Sequence, residues 1–206
     1  MSLWIKLCGV RNEADIEAAI QAGADAVGIV LSPSPRQVSP ETAAGLIAVS
    51  AGRVSTVAVF YHPDPREVMA LHRRIGFDLY QAESTALPDT EGLLTVPVVH
   101  DSDQLGRDVA AARAVSRSGM VLVEGRGKGG HGDQANPDRL AKLSHRHDIV
   151  VAGGLNPTNV GSVVSSLNPG GVDVSSGIER APGVKDHGLM EKFVAAARAA
   201  ERELSG

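Results

Sequence analysis

The chain has 206 residues, 43% of them hydrophobic and 21% charged, and a formal net charge of −4 at pH 7. Those values suit one globular domain with a substantial core and supply no general basic surface that would recruit nucleic acid. The single cysteine excludes an internal disulfide and CxxC metal spacing, and no apolar run approaches the roughly 18 residues of a membrane helix. Residues 4–7 are too short for a signal-peptide core, and Lys6 interrupts them, so a cytoplasmic protein is expected.

The pattern alternates strand and helix from the start. Residues 3–7 read as an apolar strand that stops at Cys8 and Gly9. Asn12 caps a first helix with Glu13 and Asp15 in its first turn, and Gly23 ends it. Residues 26–31 form a second strand, followed by a proline-rich loop, Ser32-Pro33-Ser34-Pro35-Arg36. Ser39-Pro40-Glu41 opens the second helix with a capping serine and proline at its first position. Residues 54–60 are a β-branched strand, and Asp64-Pro65 starts a helix that runs to Ile75. A short strand is expected at 77–80 and a weak helix at 84–91.

The second half repeats the unit. Residues 94–99 are a strand, Asp103 opens a helix to Ser116, and residues 120–123 are a strand with Glu124 at its end. A glycine-rich loop, residues 125–136, leads to Pro137 and another helix. Residues 149–152 and 171–174 are the last two strands, followed by Gly153-Gly154 and by Ser175-Ser176-Gly177. A closing helix covers 186–203. Eight strand-then-helix units over residues 1–206 predict an α/β fold, a single (β/α)8 TIM barrel at the compact end of its size range. A doubly wound sheet would carry fewer units, and the Gly-x-Gly-x-x-Gly fingerprint is missing after the first strand.

In such barrels the loops after the strands build the active site, and those after strands seven and eight often hold phosphate through backbone N–H groups. Gly153, Gly154, Ser175, Ser176 and Gly177 occupy those two loops. The alternative is that these glycines only serve tight turns. Cys8 and Glu124 would face one mouth from strands one and six, a thiol to abstract a proton and a carboxyl to donate one. Lys6 or oriented N–H groups would lower the thiol pKa, and partial burial would raise that of Glu124. Cys8 could instead be a small buried hydrophobe, and Glu124 a solvated loop acid paired with Arg126 or Lys128.

Several stretches carry a resemblance: Lys6-Leu7-Cys8-Gly9-Val10, residues 23–28, residues 34–40, Gly153-Gly154-Leu155-Asn156-Pro157-Thr158-Asn159-Val160, and residues 172–179 with Pro182-Gly183-Val184-Lys185-Asp186. On these the chain resembles phosphoribosylanthranilate isomerase, a (β/α)8 barrel of tryptophan biosynthesis, nearly end to end. The resemblance implies an Amadori rearrangement of an N-(5-phosphoribosyl) arylamine, with no metal and no organic cofactor. It implies Cys8 as general base and Glu124, where the family has aspartate, as general acid. It places Arg36 near the arylamine carboxylate, Asp173 and Lys6 among the substrate contacts, and Gly154 with Ser176-Gly177 in the phosphate loops. The implied partner is a small phosphoribosyl arylamine, without nucleic acid or membrane. No sequence feature decides between monomer and dimer.

The chain departs from the family pattern at the site. Glutamate replaces the aspartate, one methylene longer. Where the family commonly reads Gln-Leu-His-Gly after strand four, this chain reads Tyr80-Gln81-Ala82-Glu83. In the loop after strand six His131 replaces a small hydroxyl residue and becomes a candidate substrate contact, or an exposed loop histidine. Three readings follow: the isomerase itself, a paralogue running the same chemistry on another arylamine, and a phosphosugar-binding barrel without catalysis.

Overall fold

The computed structural model describes residues 2–84, 92–126, 134–143 and 146–206. Eight parallel strands close into a barrel in chain order, β1 to β8. They are β1 (Trp4–Cys8), β2 (Ala26–Val30), β3 (Ser55–Val59), β4 (Leu79–Glu83), β5 (Thr95–His100), β6 (Val121–Glu124), β7 (Ile149–Val151) and β8 (Gly171–Val174). Helices α1 (Glu13–Ala22), α2 (Pro40–Ser50), α3 (Pro65–Arg74), α4 (Leu105–Val115), α5 (Pro137–Ala141), α6 (Val160–Leu167) and α7 (His187–Ser205) alternate with them, with none described between β4 and β5. The weak helix expected at 84–91 lies, beyond Ser84, outside the described residues.

The expected caps are in place. The Asn12 side chain accepts from the Asp15 N–H at 2.9 Å, and Gly23 ends α1 in the left-handed region at φ +82°. Ser39 and Asp64 cap α2 and α3, each with proline in the first turn. Each such cap satisfies a backbone donor that the helix itself leaves without a partner.

Side chains alternate across each strand, so every barrel strand has an inner and an outer row. The outer row packs under the helices: Ile5, Leu7, Val27, Ile29, Ala58, Tyr80, Val99, Val121, Val123, Val151, Val172 and Val174 join the large core there. The inner row begins apolar, with Trp4, Ala26, Val57, Leu79, Val96, Val98, Leu122 and Val150 in a separate cluster inside the barrel. Trp4 thus plugs the bottom. Toward the C-terminal ends of the strands the same alternation makes the inner row polar: Lys6, Cys8, Gln81, Glu83, His100, Glu124 and Asp173.

Three expectations need correction. The fourth strand runs from Leu79 to Glu83, not 77–80. Phe77 and Asp78 belong to the turn before it: Asp78 Oδ2 accepts from the Thr56 N–H at 2.7 Å, and the Phe77 N–H donates to Tyr80 Oη at 3.2 Å. Gln81 and Glu83 looked like loop residues because they are polar, but polar side chains are what the upper barrel lumen holds. For the same reason β5 extends to His100 and β6 to Glu124. A small antiparallel hairpin, β9 (Glu179–Ala181) with β10 (Val184–Lys185), was not expected after β8. Among the described residues no helix is long and apolar enough to cross a membrane.

Gly28 explains how β1 can carry two large polar side chains inward. It pairs with Cys8 across β1 and β2. A Cβ placed on Gly28 would lie 2.7 Å from Cys8 Sγ and 3.0 Å from Lys6 Cε. Replacing it with alanine is expected to lower stability by about 1–3 kcal/mol, the usual range for overpacking, and to lower activity by displacing the thiol. Urea denaturation checks the first effect and steady-state turnover the second.

Candidate active site

The site is built at the C-terminal rim of the barrel, where the loops after the strands meet the polar inner row. Its base is an ion pair. Lys6 Nζ donates to Asp173 Oδ1 at 2.8 Å, and the lysine side chain is wholly buried. The two residues stand opposite one another on β1 and β8. Burial works to lower the Lys6 pKa, but the Asp173 carboxylate outweighs it and, with a contribution from Cys8, raises the value to about 12. Lys6 is therefore charged under all ordinary conditions.

Cys8, two residues on, points into the same lumen and is 6% exposed. Burial pushes its thiol pKa up; Lys6 and Lys185 pull it down, and Asp173 raises it further. The net direction is upward, so the expectation that Lys6 would leave the thiol partly ionised at rest is corrected. Lysine lowers the value, but desolvation of a thiolate in a closed barrel is the larger effect. The resting group is the thiol.

Glu124 ends β6, three strands round the barrel from β1. Burial, then the nearby Asp173 carboxylate, raise its pKa; His100 and Lys6 act in the opposite sense, and Glu83 adds to the rise. The carboxyl thus holds its proton more tightly than a solvated glutamate does. Of the two partners considered for a solvated Glu124, Arg126 pairs instead with Asp103 at 2.8 Å. Among the described residues no cation forms an ion pair with Glu124. Lys128 and His131 lie outside the described residues.

Arg36, from the proline-rich loop, reaches over the turn after β1. Its Cδ would sit 2.7 Å from a Cβ on Gly9. Its Nε and Nη2 donate to both Glu179 oxygens at 2.8 and 2.9 Å, a bidentate fork. Lys185 Nζ donates to Glu179 Oε1 at 2.8 Å and to the Ser175 carbonyl at 2.9 Å. The β9–β10 hairpin therefore serves the site: it supplies Glu179 and Lys185, which tie the Arg36 loop to the loop after β8. Burial lowers the Lys185 pKa against the pull of Glu179.

The two expected phosphate loops adjoin. Gly153 and Gly154 both take left-handed backbone, φ +84° and +61°, which glycine adopts without steric cost. The Gly154 carbonyl accepts from Asn159 Nδ2 at 2.9 Å and from Gln134 Nε2 at 3.2 Å. Gly177 packs so closely on the Leu155 carbonyl that a Cβ would collide with it, which is how the loops after β7 and β8 come to lie side by side. Ser175 and Ser176 lead into the short turn that holds Gly177.

Three inner-row residues were not among the candidate site residues, although Gln81 and Glu83 lie in the stretch that departs from the family pattern. Gln81 is buried, and its Oε1 has no hydrogen-bond partner among the described residues. Glu83 and His100 form a pair, Nε2 to Oε1 at 2.9 Å. The signal that could have found them is the period-two continuation of β4 and β5 past their last apolar residue.

The sequence model of N-(5'-phosphoribosyl)anthranilate (PRA) isomerase matches residues 5–196. The chain belongs to the N-(5'-phosphoribosyl)anthranilate isomerase family. The family protein of Roseiflexus sp. (strain RS-1) is 35% identical over 216 residues, covering 95% of this chain and 98% of that one. Phosphoribosyl anthranilate isomerase from Thermotoga maritima superposes with a TM-score of 0.82 at 29% identity, over 96% of this chain and 100% of that one. A phosphoribosyl anthranilate isomerase crystallised with reduced 1-(o-carboxyphenylamino)-1-deoxyribulose 5-phosphate has a TM-score of 0.77 at 27% identity, over 96% and 100% of the two chains. Both the TIM barrel and the family expected from the sequence are thus borne out.

The upward shift of the thiol makes a direct prediction. Alkylation of Cys8, the single cysteine, by iodoacetamide should be slower at pH 7 than that of a free thiol and should keep climbing through pH 9. The sign follows from a folded-state pKa above the free value of about 8.5, with thiolate increasing as pH rises through it. A plateau reached by pH 8 would mean that Lys6 outweighs burial. The buried pair makes another: Lys6→Met, which leaves Asp173 uncompensated, should cost about 3–5 kcal/mol in urea denaturation.

Proposed function

We propose that this chain converts N-(5'-phosphoribosyl)anthranilate to 1-(2-carboxyphenylamino)-1-deoxyribulose 5-phosphate by an Amadori rearrangement, with Glu124 as general acid and Cys8 as general base. The observation that carries the assignment is that the inner row of one lumen holds both Glu124, at the end of β6, and the chain's single thiol, with the carboxyl pKa raised by desolvation and by Asp173.

The chemistry fits those two groups. Glu124 gives its proton to the ring oxygen of the furanose. The C1–O bond breaks toward that oxygen while the arylamine lone pair forms a C=N bond to C1. The resulting iminium acidifies the hydrogen on C2. Cys8, as thiolate, removes it; the electron pair becomes the C1=C2 bond, and the C=N pair returns to nitrogen. C1 then takes a proton and the C2 hydroxyl loses one, leaving the ketone. C1 is reduced by the two electrons that C2 loses, so the balance closes within the substrate.

The elevated thiol pKa suits this order. A positively charged iminium beside Cys8 favours the thiolate, so the thiol gives its proton to solvent water once the ring has opened, and the proton then taken from C2 replaces it on sulfur. Lys6 and Lys185 bias the thiol in the same direction. Resting protonation also keeps the cysteine from reacting with other electrophiles.

The rest of the site divides by chemistry. The loops carrying Gly153, Gly154, Ser175, Ser176 and Gly177 would take the phosphate with backbone N–H groups. Arg36 would meet the anthranilate carboxylate with the edge of its guanidinium that Glu179 does not occupy, since Nε and Nη2 are the two nitrogens engaged. Asp173, fixed by Lys6 through Oδ1, has its second oxygen for a sugar hydroxyl.

The test is a direct assay: generate the substrate in place and follow the loss of its fluorescence. Turnover by the wild-type chain is expected. Cys8→Ser should nearly abolish it, because an alcohol is a far poorer base, and Glu124→Gln should lower it by about a hundredfold or more. Folded protein without turnover would remove the assignment, and a Cys8→Ser rate within a few-fold of wild type would remove the base.

A further inference from the structure

The imidazole of His100 lies where the reaction just assigned does not use it. It closes β5 inside the lumen and stands opposite Glu124 in the register of β5 and β6. Its Nε2 is 2.9 Å from Glu83 Oε1 on β4, and its Nδ1 is 3.4 Å from the Gly125 carbonyl, the residue after Glu124. The Gly125 carbonyl, and Glu83 as a carboxylate, only accept. A ring that satisfies both must donate from both nitrogens, and only the imidazolium does so.

The charges around Glu124 give that cation a purpose. Glu83 on β4 and Asp173 on β8 both disfavour a carboxylate at Glu124, and so does burial. On the other side stand Lys6 on β1 and His100 on β5. Lys6 is already committed to Asp173 at 2.8 Å. Asp101, next to His100 in sequence, pairs instead with Arg139 at 2.7 Å. His100 is paired too, with Glu83, but it stands directly opposite Glu124 and favours its carboxylate more than Lys6 does.

We propose that His100 is a positioning residue for Glu124: clamped as an imidazolium between the Glu83 carboxylate and the Gly125 carbonyl, it fixes the end of β6 and supplies the positive charge that stabilises the Glu124 carboxylate after proton transfer. The proposal rests on Glu124 being the general acid. Without His100, a half-buried glutamate near two other carboxylates would be a weaker acid. With it, part of the upward pull on the carboxyl pKa is offset, and the conjugate base is stabilised. The fixed clamp also addresses the extra methylene of glutamate, since the hydrogen bond to Gly125 anchors the backbone from which the longer side chain springs.

The charge state of His100 can be set by changing its partner. The hydrogen bond that His100 donates to Glu83 is the largest of the influences that bring its pKa up to about 9, and Glu124 adds to the rise. In Glu83→Gln that pKa should fall toward the ordinary ~6.5. The ring is then charged at pH 5.5 and neutral at pH 8, whereas in the wild type it is charged at both.

The experiment compares wild type, Glu83→Gln and His100→Gln for kcat and KM at pH 5.5 and pH 8, on N-(5'-phosphoribosyl)anthranilate generated in place. At pH 8 both variants are expected to lose about tenfold in kcat with KM changed by less than about threefold. At pH 5.5 Glu83→Gln should return to nearly the wild-type rate at that pH, because its imidazolium re-forms, while His100→Gln should stay about tenfold down. A purely structural role moves neither ratio with pH. A Glu83→Gln to wild-type ratio that is the same at both pH values overturns the proposal, as does a kcat within about twofold of wild type in both variants at pH 8. If His100→Gln does not fold, the Glu83→Gln ratio decides alone. Glu124→Gln is run beside them: inactivity with a pH-independent Glu83→Gln ratio removes only the role of His100, whereas a wild-type rate removes the acid assignment and this proposal together.

Discussion

The Lys6–Asp173 pair is the interaction on which the rest of the site depends. It joins the first strand to the last inside the closed barrel, with the lysine fully buried. An unpaired charge there would be costly to bury, and removing one partner of such a pair is worse than never having had it. Once made, the pair sets a fixed dipole in a low-dielectric lumen. Cys8 feels the lysine as a pull toward thiolate and the aspartate as a push away; Glu124 feels the same two charges with the aspartate dominant. One ion pair therefore biases both groups assigned to proton transfer.

Around that pair the upper lumen alternates in sign. Lys6 and Asp173 occupy the β1–β8 seam; Glu83, His100 and Glu124 follow one another on β4, β5 and β6. Outside the mouth, Lys185, Glu179 and Arg36 make a second chain of alternating charge across the hairpin and the proline-rich loop. Such a network fixes the side chains of the upper lumen against one another, the kind of preorganisation that electrostatic catalysis requires. The glycines work with it by removing volume. Gly28 leaves room for Cys8 and Lys6, and Gly177 lets two loops touch.

Much of the fold was legible in the chain. The outer rows of β1, β2 and β8 are β-branched or leucine, and the strands alternate with helices whose starts are marked by Asn12, Ser39 and Asp64. These are local signals, carried by propensity and capping, and eight such units have a restricted set of ways to close. Cys8, Glu124 and the two glycine loops were legible for the same reason: each stands where an apolar strand stops. The ends of β4 and β5 were not, because Gln81, Glu83 and His100 are polar, and polarity in sequence reads as loop. Only the curvature of the closed barrel turns those positions inward, where polar side chains find partners.

By itself the sequence determined the barrel, its order and the residue types at the ends of its strands, because each of these follows from periodicity and turn chemistry within some twenty-five residues. The tertiary structure alone decided protonation and partnership. Whether Cys8 rests as thiol or thiolate depends on burial weighed against Lys6, Lys185 and Asp173, which lie on three different segments. That Glu83 meets His100, that Arg36 meets Glu179 across 143 residues, and that Lys6 meets Asp173 across 167 are consequences of closure. Charge–charge energies depend on distance and on the water excluded between the groups, and a chain has neither until it is folded.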